Sequence, residues 1–279
     1  MDFIEISSDG MITIDDSDHE ILPILEAFGT LIEKNGFDHL SIACGVSPSP
    51  DFGYFELADR FWRASLCIYA LGATKCFWES GAGYSEPWLF NARHAVELYL
   101  KGFLLNTIWL EELQSSAHLT SHKVEFSNLK KEFGKPHKLI EIYNLYTTRL
   151  SQVLGNWNLD SMPEVPDMNS LVFGTDEKEM LEELDESDET SFRFRYSSLK
   201  QGDTEAIQQI DWHHDSSKIY PKTGLPSEAG YFFDHILVIN NLYKMIGELK
   251  KIKGYFEGIT MYQDVINDYW NESLSDLYD

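Results

Sequence analysis

Four residues able to carry charge or move a proton stand in a run of large apolar side chains. They are Arg93, His94, Glu97 and Lys101, in WLFNARHAVELYLKGFLL at 88–105. A helix turns about 100° per residue, so Arg93, Glu97 and Lys101, spaced four apart, fall along one stripe with His94 beside it. Glu97 can then pair with either cation. A helix apolar on every side is a buried one, and charges inside it must be paired or they cost several kcal/mol. Two chemistries fit this arrangement. One is an ion cluster that locks helices together. The other is a small anion site, with two cations held by one carboxylate and a histidine at the rim. Arginine suits phosphate because its planar fork makes two parallel charge-assisted bonds.

Other residues could join such a site. His137 opens a helical pattern in KPHKLIEIYN, where it either caps the helix or faces the Arg93 cluster from a neighbouring helix. Arg193, Arg195 and Tyr196 lie in an alternating FRFRY segment just after an acidic run. If phosphate chemistry occurs, His94 and His137 are the candidate acid and base, Arg93, Lys101, Arg195 and Tyr196 the candidate phosphate contacts, and Glu97 the structural ion-pair partner. No metal or other cofactor is expected. His118 and His122 are four apart without the glutamate of a zinc-protease helix, and His213-His214 read as surface residues beside Trp212. The acidic run DEKEMLEELDESDE at 176–189 lacks calcium-loop spacing and reads as a solvated short helix or loop, with Lys178 and Leu184 on an exposed amphipathic turn. No phosphate-loop, dinucleotide-binding or Gly-x-Ser-x-Gly motif occurs.

The elements that must position these groups are mostly helical. Apolar residues recur at three- and four-residue spacing from Tyr54 to Glu79, from Pro87 to Gln114, from His137 to about Leu154 and from about Glu228 to Ile252. The tail from Gly254 reads as one more short helix ending in acids. Strand signals are few and short. Two alternating runs around Ser-Asp-Gly at 3–14 predict a hairpin, and a helix follows to about Gly36. A breaker cluster with Gly45, Pro48, Pro50 and Gly53 marks a boundary. The expected fold is mainly α: an antiparallel helical bundle with a small N-terminal β-hairpin and few short strands. The expected domains are 1–50, hairpin plus helix; 51–255, the bundle, with an acidic insertion near 155–190; and 256–279, an acidic tail or short helix.

Composition narrows the partners. The chain has 279 residues and a net charge of −24 at neutral pH. Such a charge repels polyanions at long range, which argues against an extended duplex-binding groove but leaves room for a small cationic pocket or a basic protein partner. Seven tryptophans and a 14% aromatic content supply the apolar surface of a real core. Cys44, Cys67 and Cys76 are odd in number and form no Cys-x-x-Cys, so free thiols are expected. The acidic start lacks the basic and apolar regions of a signal peptide, and no run approaches a membrane span. The cytoplasm is the expected compartment.

The stretch from FWRASLCIYALG through PWLFNARHAVELYLKGFLL resembles prokaryotic HEPN-domain proteins, which share an Arg-His-Ala-x-Glu-Leu-x-x-Lys helix after a Trp-containing one. Here that pattern is Arg93-His94-Ala95-Val96-Glu97-Leu98-Tyr99-Leu100-Lys101. His137-Lys138-Leu139 is similar to the family's next helix start, Phe194-Arg195-Tyr196 to a later element, and 229–252 to its closing helix. The resemblance spans roughly residues 55–255. It implies a helical bundle that pairs as a homodimer, and RNA or nucleotide phosphate as ligand. It further implies a metal-independent endoribonuclease of a defence or toxin–antitoxin system. The alternatives are a non-catalytic interaction or dimerisation protein, or an acidic antitoxin-like partner of a basic protein. The family's ribonuclease signature, an Arg followed four to six residues later by a His, occurs nowhere in the chain.

Overall fold

The computed structural model describes residues 4–6, 12–14, 53–74, 85–117, 137–155, 168–187, 219–225 and 234–275. Within them lie two short strands, β1 (Ile4–Ile6) and β2 (Ile12–Ile14), which pair antiparallel with Ile4 opposite Ile14. Five α-helices follow: α1 (Gly53–Thr74), α2 (Ser85–Ala117), α3 (Leu139–Gly155), α4 (Thr175–Ser187) and α5 (His235–Ser275). A single 3₁₀ turn at Met168–Ser170 precedes α4.

The central element is α2. It packs against α1, α3 and α5, while α4 covers α3 and α5. This is the consequence of its all-round apolar sequence: Trp88, Leu89, Ala92, Val96, Tyr99, Leu100, Phe103 and Leu104 are all sealed from solvent. Phe103 joins four helices through its ring, lying 5.3 Å from Phe55 on α1, 5.5 Å from Tyr146 on α3 and 5.8 Å from Phe256 on α5. Gly102 lets α1 come this close, because a Cβ there would stand 2.5 Å from the Phe55 ring.

The helix ends have identifiable causes. Pro87 sits in the first turn of α2, where its missing N–H costs nothing. In α4, Asp176 and Glu177 occupy the first turn and complement the helix dipole. Asp234 caps α5: its Oδ1 accepts the Leu237 N–H at 3.1 Å and its carbonyl accepts that of Val238 at 2.9 Å. The helix runs from His235 behind this cap, and the expected start near Glu228 lies outside the described residues. It also continues through Gly254 to Ser275 instead of stopping near 252. A lone glycine costs only about 1 kcal/mol in a helix interior, and the burial of Phe256 against Phe103 and Tyr146 outweighs that.

The acidic run departs most from expectation. Residues 175–187 form α4, which is not a solvated turn: Met180, Leu181 and Leu184 are buried against the bundle. The density of acids masks an apolar face at 180, 181 and 184. The outer acids are also engaged, by a segment ahead of α5. Tyr220 donates to Glu186 at 2.6 Å, Lys222 pairs with Glu179 at 2.7 Å, and Thr223 donates to Glu183. Gly224, at φ 78°, makes the turn that returns this segment to Asp234.

Among the described residues, no helix is long and apolar enough to cross a membrane.

Candidate functional site

The four polar residues of α2 meet the start of α3 and the end of α4 in one connected cluster. Glu97 is its hub. Its Oε1 accepts Lys101 Nζ at 2.6 Å and lies 2.9 Å from His137 Nδ1. Its Oε2 faces Arg93 Nη1 at 3.4 Å and His94 Nδ1 at 3.8 Å, the latter an ion-pair distance and beyond a hydrogen bond. Arg93 Nη2 donates to the His137 carbonyl at 2.8 Å and stands 3.6 Å from Asp185 Oδ1. The side chains of Arg93, Glu97 and Lys101 are only 2%, 2% and 10% exposed.

Asp185 is the member that the sequence did not reveal. It lies on α4, yet it caps α3. Its Oδ1 accepts the Leu139 N–H at 2.7 Å and its Oδ2 that of Ile140 at 3.4 Å. Before Leu139 stand Lys138 and His137, neither of which supplies a capping oxygen, so the open donors of α3 are met from another helix. No local spacing marks Asp185 among the acids of 176–189.

The electrostatics follow from this closure. Burial alone would raise the Glu97 carboxyl. Contacts with His94, Lys101 and His137, together with the Lys101 charge, outweigh it and hold Glu97 well below the usual carboxylate range. Burial pushes the Asp185 carboxyl up, only partly offset by the Leu139 and Ile140 N–H groups and by the charges of Arg93 and Lys138. Two carboxylates thus balance two buried cations.

The two histidines differ from the rest. His137, just outside α3, keeps 55% of its side chain in solvent. His94 is 23% exposed; its ring stacks on Phe90, centroids 5.7 Å apart, and meets the Phe61 ring in a T-shaped contact at 4.5 Å. His137 therefore faces the cluster and does not cap its own helix. Arg195 and Tyr196, expected to touch phosphate, lie outside the described residues, as do Arg193, His118, His122, His213 and His214.

Two smaller polar groupings went unread in the sequence. Asp59 on α1 accepts Tyr99 Oη of α2 and pairs with Lys253 of α5 at 2.7 Å, tying three helices. Tyr69 Oη is 3.0 Å from His235 Nδ1 at the start of α5. Burial raises the Tyr69 hydroxyl and lowers the His235 imidazole, so both stay neutral at ordinary pH. Among the described residues, no group of three or more His, Cys, Asp or Glu could hold a metal ion.

What the arrangement can do chemically is limited by access. An anion would have to displace a carboxylate to reach Arg93, whereas the edge of the cluster offers an imidazole in solvent. Comparison of the chain with family models, with curated proteins and with solved structures finds no match.

Proposed function

We propose that this chain is a HEPN-like antiparallel helical bundle that binds RNA or nucleotide phosphate, with the imidazole edge, and not the buried cations, meeting the ligand. The observation that carries this reading is His137. It is half in solvent, yet its ring is held by buried Glu97 and its carbonyl by buried Arg93. Fixing an exposed histidine through both its ring and its backbone is the kind of preorganisation that acid–base chemistry uses. Any cleavage is then metal-independent, with His137 and His94 as the proton-transfer groups. Arg93 and Lys101 act from behind, as supports. The net charge of −24 favours a short single-stranded or mononucleotide ligand over a long duplex. The HEPN resemblance further suggests a cytoplasmic homodimer in a prokaryotic defence or toxin–antitoxin system.

The second reading is a non-catalytic interaction or dimerisation protein. It is favoured by the sealing of Arg93 and Lys101, both buried and both bound to Glu97, which makes the cluster a lock between helices. One experiment separates the two. Purified protein is incubated with mixed short RNAs, with and without chelator, beside His137→Ala. RNA bound or cut regardless of chelator, and spared by His137→Ala, supports the first reading. RNA neither bound nor cut at micromolar protein supports the second.

A further inference from the structure

The assignment of Glu97 as a structural ion-pair partner leaves one contact unused, the 2.9 Å approach of its Oε1 to His137 Nδ1. An ionised carboxylate only accepts hydrogen bonds. Two acceptors cannot face each other at that distance, so Nδ1 must carry the proton. The Nε2 atom then holds the lone pair whenever the ring is neutral. We infer that Glu97 is a positioning residue that fixes His137 as a single tautomer, with Nε2 as an oriented base for the 2′-hydroxyl of an RNA ligand. This rests on the RNA reading above.

Three features make the arrangement a built one. Oε1 is itself fixed, by Lys101 Nζ at 2.6 Å. Arg93, one turn before Glu97 on α2, holds the His137 carbonyl at 2.8 Å, so ring and backbone of His137 are pinned by the same helix. The next two backbone N–H groups, of Leu139 and Ile140, are held by Asp185. An exposed histidine whose only duty was to fill space would need none of these restraints.

The chemistry balances without a co-reactant. Nε2 takes the proton of a 2′-hydroxyl, and the 2′-oxygen forms a bond to the adjacent phosphorus. The bond from phosphorus to the 5′-oxygen breaks, and that oxygen takes a proton from His94, the second proton-transfer group of the reading above. The products are a 2′,3′-cyclic phosphate and a 5′-hydroxyl. Because Glu97 meets the reaction only through the imidazole, its effect on the chemistry is on the tautomer and orientation of His137 and not on the reacting atoms.

The test is long-range ¹H–¹⁵N correlation of the ring nitrogens in the full-length protein at alkaline pH, with His137→Gln identifying the signals. The expected result is a protonated-type Nδ1 and a lone-pair-type Nε2 for His137. A dominant Nε2–H form, or an average of the two tautomers, overturns the positioning role, and the wild-type measurement alone decides this even if Glu97 variants fail to fold. In parallel, a short RNA and its 2′-deoxy analogue are incubated with wild type and His137→Gln. Cleavage of the RNA alone, reduced about a hundredfold or more in His137→Gln, supports the base role. A protein with the expected tautomer that binds RNA and leaves it intact overturns the base role, one that neither binds nor cuts RNA overturns the RNA reading, and both leave the positioning of His137 standing. Cleavage that persists in His137→Gln overturns the base role.

Discussion

Replacing Glu97 by Gln keeps the shape of the side chain and removes its charge. In the native cluster that charge serves two buried cations, Lys101 at 2.6 Å and Arg93 at 3.4 Å, with side chains 10% and 2% exposed. After the change Arg93 retains Asp185 at 3.6 Å, but Lys101 loses its carboxylate partner at 2.6 Å. Stranding one member of a buried ion pair costs about 3–5 kcal/mol. For a chain of this size each kcal/mol lowers Tm by roughly 2–4 °C, so the expected loss is about 6–20 °C. Thermal and urea unfolding of wild type and Glu97→Gln measure this directly. A second variant checks the cause. In Glu97→Leu/Lys101→Met both members of the closest pair become apolar, while Arg93 keeps Asp185. If stranded charge is the reason for the loss, the double variant should lose less than the sum of Glu97→Leu and Lys101→Met by a coupling of about 0.5–3 kcal/mol. A Tm of Glu97→Gln equal to wild type, or a double variant whose losses simply add, would refute the argument that these charges are buried and mutually dependent.

Other expectations follow from single contacts. Asp185→Ala removes the cap of α3 supplied by α4 and should cost about 1–2 kcal/mol, with faster amide exchange at Leu139 and Ile140; unchanged exchange there would show that the cap lies elsewhere. Gly102→Ala places a Cβ 2.5 Å from the Phe55 ring and should cost about 1–3 kcal/mol, whereas Gly254→Ala, with open space around its Cβ, should gain up to about 1 kcal/mol; equal effects in urea unfolding would contradict the α1–α2 packing. Stability should fall on acidification for two groups whose folded values are depressed. His235 contributes fully above its ordinary 6.5 and loses this as pH falls below it, and Glu97 does the same below its ordinary 4.5. Asp185, raised from 3.8, works in the opposite sense near that value. The fall in urea midpoint from pH 7 to pH 5 should be smaller in His235→Gln than in wild type, and an equal pH response in the two proteins would overturn the His235 assignment.

The helices of the bundle were legible because their apolar spacing is long and regular. The all-round apolar character of 88–105 correctly implied a buried helix, and the four-residue spacing inside it placed Arg93, Glu97 and Lys101 in one cluster. What the sequence hid was contact across elements. Asp185 is one acid among many in 176–189, and nothing local distinguishes the one that reaches α3. Leu184 reads in the sequence as part of an exposed amphipathic turn because acids surround it, although the residues at 180, 181 and 184 share a buried face. The passage of α5 through Gly254 was hidden for a similar reason: a local helix breaker was overruled by the burial of Phe256, which depends on partners far away in sequence.

The same carboxylate bears on both stability and reactivity, and this decides which variants are informative. Glu97 holds Arg93 and Lys101 inside the fold and His137 at its edge. Loss of activity in a Glu97 or Arg93 variant could therefore come from a loosened junction of α2, α3 and α4, with no change in chemistry. His137 is different. Its side chain is 55% exposed, and its carbonyl, the atom that Arg93 binds, survives any side-chain substitution. His137→Gln leaves Glu97 with Lys101 and Arg93, so the buried charges stay paired and the expected change in stability is small, within about 0.5 kcal/mol for an exposed site. A variant that keeps the wild-type urea midpoint and loses turnover assigns the chemistry to the imidazole. A variant that keeps both its midpoint and every measured activity would leave the cluster as a lock between helices and nothing more.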